Sequence, residues 1–123
     1  MTMEIKLFES ERRVMEVLWD RESCSAKEIA AQLGDEIGWN KNTTYTVLKK
    51  CIDKGAVTRS EPGFVCRAAI TREQVQRQEA NELCDRLFQG STERMFAALL
   101  SGRKLSADEI GQLRAMVDAL EKE

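Results

Sequence analysis

Residues 39–67 read Trp39-Asn-Lys-Asn-Thr-Thr-Tyr-Thr-Val-Leu-Lys-Lys-Cys-Ile-Asp-Lys-Gly55, then Ala56-Val-Thr-Arg59, Ser60-Glu-Pro-Gly63 and Phe64-Val-Cys-Arg67. A helix is expected from Asn40 or Lys41 to Asp53 or Lys54, with Gly55 ending it. Thr44, Val47, Leu48, Cys51 and Ile52 recur at the spacing of one helix face and form its inward side. Asn42, Thr43, Tyr45, Thr46, Lys49 and Lys50 fall on or beside the outward side. β-Branched residues are indifferent helix formers, so three threonines in four positions make an odd choice for a purely structural surface. Hydroxyls and amides at a helix N-terminus pair with phosphates and base edges, and the helix dipole favours phosphate there. Two β-rich runs follow, flanking a turn that holds the chain's only proline beside a glycine, which is hairpin punctuation. Arg59 and Arg67 on these runs are either phosphate contacts or simply exposed. A recognition helix followed at once by a wing is the expected reading.

The whole chain sets limits on that reading. Its 123 residues make one domain, or a small domain with an appendage. A core of this size is modest and gains from burial at a subunit interface. No apolar run approaches the roughly 18–20 residues of a membrane span, so no membrane insertion is expected. The opening Met-Thr-Met-Glu-Ile-Lys lacks the basic-then-apolar layout of a signal peptide, which points to a cytoplasmic protein. The net charge of −2 argues against nucleic acid only if charge is evenly spread. Within residues 40–59, Lys41, Lys49, Lys50, Lys54 and Arg59 face a single acid, Asp53, whereas residues 71–123 carry eight basic and ten acidic side chains. Local field, rather than the global sum, attracts phosphate.

The four cysteines, Cys24, Cys51, Cys66 and Cys84, include no close pair, and the chain has no histidine. A zinc site lacks the ligand pair that normally starts one, so no metal and no cofactor are expected. Cys51, Cys66 and Cys84 fall where helix and strand patterns want a small apolar residue, which reads as buried structural thiols. Without histidine the commonest general base is missing. No phosphate loop or nucleophile elbow appears either, so an enzyme is not expected.

Ahead of the quoted stretch, Val14, Met15, Val17, Leu18 and Trp19 mark a core-facing helix from about Glu9 to Asp20, with Glu11, Arg12, Arg13 and Glu16 facing out. Its start is Ser10, Phe8 or Glu9. Ser25 and Glu28 form a capping box for a short helix that buries Ile29, Ala30 and Leu33 and stops near Gly34, with 35–38 as the connection. Beyond Thr71 the character changes. Thr71 and Gln74 open a helix to about Gln89 carrying Val75, Ala80, Leu83, Cys84, Leu87 and Phe88. Ser91 caps another with Met95, Phe96, Leu99 and Leu100. Ser106 and Glu109 box a last helix whose Ile110, Leu113, Val117 and Leu120 form a short heptad-like seam. Three short amphipathic helices have little to pack against in one chain; a second copy is the economical partner, and the alternative is a tail folded back on its own winged helix. The fold class is therefore mainly α (α+β): a winged helix-turn-helix over 1–70 and a three-helix dimerisation region over 71–123.

Glu11…Val14-Met15…Leu18-Trp19, Glu28-Ile29, Trp39, Thr43-Thr44-Tyr45-Thr46-Val47-Leu48 and Lys54-Gly55 resemble the penicillinase-repressor family, which also holds methicillin-resistance and copper-transport repressors. The resemblance continues through Arg72-Glu73 and Leu87-Phe88-Gln89-Gly90-Ser91 to Leu105-Ser106, Glu109-Ile110 and Leu113. It implies a homodimeric winged-helix repressor whose third helix reads operators with TACA/TGTA-like dyads in double-stranded DNA. Asn42, Thr43 and Thr46 match the family's contact positions best, with Lys49 and Lys50 beyond them; Tyr45 is unusual in its place. The paired Cys-x-Cys ending of copper-responsive members is absent. In β-lactam-responsive members a membrane sensor protease triggers cleavage at an Asn-Phe bond, and the matching position is Ala98-Leu99. The rival readings are a winged helix that docks another protein and a thiol-based redox sensor using Cys51, Cys66 or Cys84.

Overall fold

The computed structural model describes residues 4–122; Met1–Met3 and Glu123, which enter the leader and charge readings above, lie outside them. Six helices and three strands follow in the order α1 (Glu9–Asp20), β1 (Cys24–Ser25), α2 (Ala26–Ile37), α3 (Lys41–Asp53), β2 (Val57–Ser60), β3 (Val65–Ala68), α4 (Arg72–Leu87), α5 (Thr92–Leu100) and α6 (Ala107–Glu121). The chain divides into two compact units between Asn81 and Glu82, inside α4.

The first unit is a three-helix core closed by a small sheet. Val14, Met15, Val17 and Leu18 of α1 pack with Ile29 and Leu33 of α2 and with Val47, Leu48 and Cys51 of α3. Strand order is β1-β3-β2, all antiparallel, with Cys24 opposite Cys66 and Thr58 opposite Arg67. β1 is too short to leave a period-two pattern in the sequence, yet it makes the hairpin a three-stranded wing. Cys24 and Cys66 thereby join the core. The first turns of α4 are held here too. Arg72 pairs with Glu16 and Asp20, each at 2.9 Å, and the indole N–H of Trp19 donates to the Ile70 carbonyl at 2.9 Å. Val75 is buried in the same core.

Two local expectations are corrected. Glu11, placed on the outward side of α1, is only 1% exposed. Its Oε1 accepts from the Phe8 backbone N–H at 2.8 Å and from Lys54 Nζ at 2.6 Å. Lys54 also donates to the Lys6 carbonyl at 2.8 Å and sits over the Phe8 ring. A carboxylate at the third helix position reaches back to the free amides of the first turn, and Lys54 compensates its charge, so burial is tolerated. The second correction concerns α2, which runs through Gly34 to Ile37. The stop is Gly38, at φ +73°, whose N–H bonds the Gly34 carbonyl in a left-handed cap. Gly34 instead faces the Trp39 carbonyl, where an added Cβ would lie 3.4 Å away.

The second unit contains the end of α4, then α5 and α6. Ser91 accepts from the Arg94 N–H, and Ser106 and Glu109 form the expected reciprocal box. Neither α5 nor α6 buries a residue. Phe96, Leu99, Leu100, Ile110, Val117 and Leu120 are exposed, and Met116, outside the expected seam, is exposed beside them. Cys84 is half-buried rather than buried, which corrects its reading as an interior thiol. No described helix is long and apolar enough to cross a membrane.

Candidate nucleic-acid interface

The Asn40 side chain accepts from the Thr43 N–H at 2.8 Å and starts α3. With Thr44, Val47, Leu48 and Cys51 buried, the helix is locked with its opposite side outward. On that side Asn42, Thr46, Lys49 and Lys50 recur at i, i+4, i+7 and i+8, so they share one exposed stripe. Lys41 is exposed at the N-terminus and Thr43 is half-buried at the stripe's edge. Lys49 and Lys50 form no salt bridge among the described residues, leaving both charges available to an anion.

Other residues of the basic block are already engaged. Lys54 belongs to the Glu11 clasp and lies off the stripe. Tyr45 is half-buried, its ring edge-on to Phe64 of the wing with centroids 5.9 Å apart and Lys41 Nζ 5.6 Å from its own. It joins helix to wing more than it faces solvent. Arg59 lies 3.5 Å over the other aromatic, Phe64, and pairs with Glu61 through Nη2 at 2.6 Å and Nε at 2.8 Å. Arg59 holds the Glu61 carboxyl below the usual carboxylate range, with the Phe64 N–H helping. Arg67 is exposed on β3 and lines a shallow groove with Trp19, Ile70 and Arg72, near the start of α4. The geometry gathers the α3 stripe and Arg59's hairpin and sets Arg67 elsewhere. Phe64, the platform that Tyr45 and Arg59 share, escaped the sequence reading because an aromatic at a strand start looks like ordinary core.

Burial raises three thiols: Cys51 is pushed up to about 12, Cys66 to about 11, and Cys24 upward as well. Thiols held protonated are poor nucleophiles and poor metal ligands. Among the described residues no cluster of three or more Cys, Asp or Glu side chains is arranged to hold a metal.

A trihelical core, a three-stranded wing and a hydroxyl-and-lysine stripe on the third helix define a winged-helix DNA-binding protein. Residues 7–119 match the family described as Penicillinase repressor, and the chain belongs to that family. It is a DNA-binding transcriptional repressor, not an enzyme. The chain is 25% identical to the penicillinase repressor of Bacillus licheniformis over 115 residues, covering 92% of this chain and 90% of that protein. It is also similar to the solution structure of the DNA-binding domain of the repressor BlaI, with a TM-score of 0.53 and 28% identity over 58% of this chain and 90% of that one. The B. licheniformis BlaI monomeric form in complex with the blaP half-operator gives a TM-score of 0.52 and 28% identity, over 59% of this chain and 92% of that one.

Proposed function

We propose that this repressor binds a pseudo-palindromic operator as a homodimer, with one α3 in the major groove of each half-site. The observation that carries the reading is the single exposed stripe of α3, on which amide and hydroxyl groups lie N-terminal to two lysines that have no salt-bridge partner among the described residues. Asn42, Thr43 and Thr46 take the base edges, because the N-terminal residues of a recognition helix reach deepest into the groove. Lys41, Lys49 and Lys50 take phosphates, with Arg59 as the flanking cation; Arg67, beside the start of α4, is left out of the contact set. The similar B. licheniformis BlaI, whose monomeric form is solved in complex with a half-operator, supports this placement.

The dimer surface is the exposed apolar side of the second unit: Leu87, Phe96, Leu99, Leu100, Ile110, Val117 and Leu120, with half-buried Leu83, Phe88, Met95 and Leu113 behind them. The unit ending at Asn81 then reads DNA while the unit from Glu82 holds two readers together, a division that suits a cytoplasmic protein acting at a promoter. The family resemblance adds a membrane sensor protease as the inducing partner. The bond at the matching position, Ala98-Leu99, lies in α5, which must unwind locally before a protease cleft accepts it.

Three or four cationic phosphate contacts per subunit give a dimer log–log salt slope of about −5 to −7. In a mobility-shift titration, Thr46→Ala should lower discrimination between operator and mismatched sites by about 1 kcal/mol. Lys50→Ala should weaken all sequences alike and reduce the slope by about 1 per subunit. If neither change alters binding, α3 is not the reading element.

A further inference from the structure

We propose that Glu61 limits the affinity of the wing for DNA by holding Arg59 in an ion pair that a phosphate must displace. The inference rests on the DNA reading above. Both Arg59 contacts, from Nη2 at 2.6 Å and Nε at 2.8 Å, end on the same carboxylate oxygen, Oε1. Oε2 accepts from the Phe64 N–H at 3.1 Å. The carboxylate therefore closes the wing turn and occupies its arginine at once. Phe64 fixes the geometry from below, because the guanidinium lies 3.5 Å over its ring. Phe64 itself has φ +51°, a conformation L side chains seldom adopt, and the Glu61 contact satisfies its amide there. Arg59 is thus parked at a defined place, not dispersed in solvent.

The arginine and glutamate side chains are 46% and 57% exposed. An exposed pair of this kind is weak enough for a phosphate to exchange, yet it subtracts from every wing contact. Asp53, at the end of α3, and Glu61 are the acids placed among the basic side chains of helix and wing. Glu61 is the one whose carboxylate already neutralises a candidate DNA contact. The wing would then contribute a tuned increment, and loss of the carboxylate would strengthen binding to operator and non-operator DNA together, since phosphate contacts carry no sequence information.

The test is a double-mutant cycle on the full chain, read as operator affinity and salt slope. Glu61→Gln keeps an oxygen for the Phe64 N–H and removes the charge. It should tighten binding about two- to fivefold per subunit, the worth of one exposed ion pair. The salt slope should move by less than one contact's worth, about 0.9 per subunit, because Arg59 reaches phosphate in both proteins. In an Arg59→Ala background the same change should yield no gain. An equal gain with and without Arg59 would reduce the effect to plain repulsion between Glu61 and DNA and overturn the proposal. No gain at all would place the wing off the DNA, which also overturns it. Lys50→Ala run alongside separates the two failures. If it weakens binding while Glu61→Gln does nothing, only the wing inference fails; if it too is silent, the recognition-helix reading fails first.

Discussion

The residues up to Asn81 and those from Glu82 onward are built from equally well-formed helices, but only the first set buries what it presents. The capping box of Ser25 with Glu28 and that of Ser106 with Glu109 have the same reciprocal bonds, all of 3.0–3.1 Å. Yet α2 places Ile29 and Leu33 in the core, whereas α6 leaves Met116, Val117 and Leu120 at 63%, 57% and 68% exposure. Capping decides where a helix starts. It does not stabilise a short helix in water, which needs an apolar partner. The first unit finds that partner within the chain, and the second has apolar area in search of one.

Removing residues 82–123 tests this contrast most severely. The remaining chain should keep its core, become monomeric and bind operator about 10²–10⁴-fold more weakly, because the second half-site is no longer tethered. Sedimentation and a mobility shift check both outcomes. A truncated form that stays dimeric would put the interface in the winged helix. The cut belongs after Asn81, because Arg72 anchors α4 to Glu16 and Asp20, Val75 is buried, and Gln78 Nε2 donates to the Ile5 carbonyl at 3.1 Å. Cutting at Ile70 would expose core, and any loss of binding would then have two causes.

Most of the fold was legible because its signals are local. The inward residues of α3 and the three boxes at Ser25, Thr71 and Ser106 need only spacing and composition. What escaped depends on partners distant in sequence. Glu11 and Lys54 are 43 positions apart, and both look like surface charges until α1 and the end of α3 are brought side by side. β1 exists only because Cys24 and Ser25 meet Cys66 and Val65. The site was legible in the same measure. The periodicity of α3 marks its stripe, but the capture of Arg59 by Glu61 and the packing of Tyr45 on Phe64 are properties of a folded wing. Local charge counting therefore overstated the cations on offer, since Lys54 and Arg59 are both already paired.

The same contrast is sharpened by one side chain from each unit. Met15 has no exposed surface, so Met15→Ala should cost about 2–5 kcal/mol, the usual range for a core truncation that leaves a cavity. That loss, followed by denaturant unfolding, should not depend on protein concentration. Leu120→Ala removes little contact within its own chain. Its cost should appear only where dimers are populated, as a midpoint that falls on dilution, because association stabilises by mass action. A concentration-independent loss of Met15 size at Leu120 would mean that the second unit packs on its own chain.

The smallest effect expected concerns the thiols, which follow the same division. Cys24, Cys51 and Cys66 lie in the core of the first unit, and Cys84 is half-buried in the second. Thiol labelling of the native protein near neutral pH should modify Cys84 alone, and rapid reaction of Cys51 or Cys66 would reopen the redox reading. The pH dependence has a definite sign. Cys51 and Cys66 are raised from an ordinary value of 9.0 to about 12 and about 11, so the folded chain keeps protons that the unfolded chain releases. Their contribution is complete below about pH 9 and is lost as pH rises through 11 to 12. Stability should therefore fall on the alkaline side. Cys51→Ala should flatten that fall relative to the parent chain. An alkaline limb identical in the two proteins would overturn the assignment to Cys51.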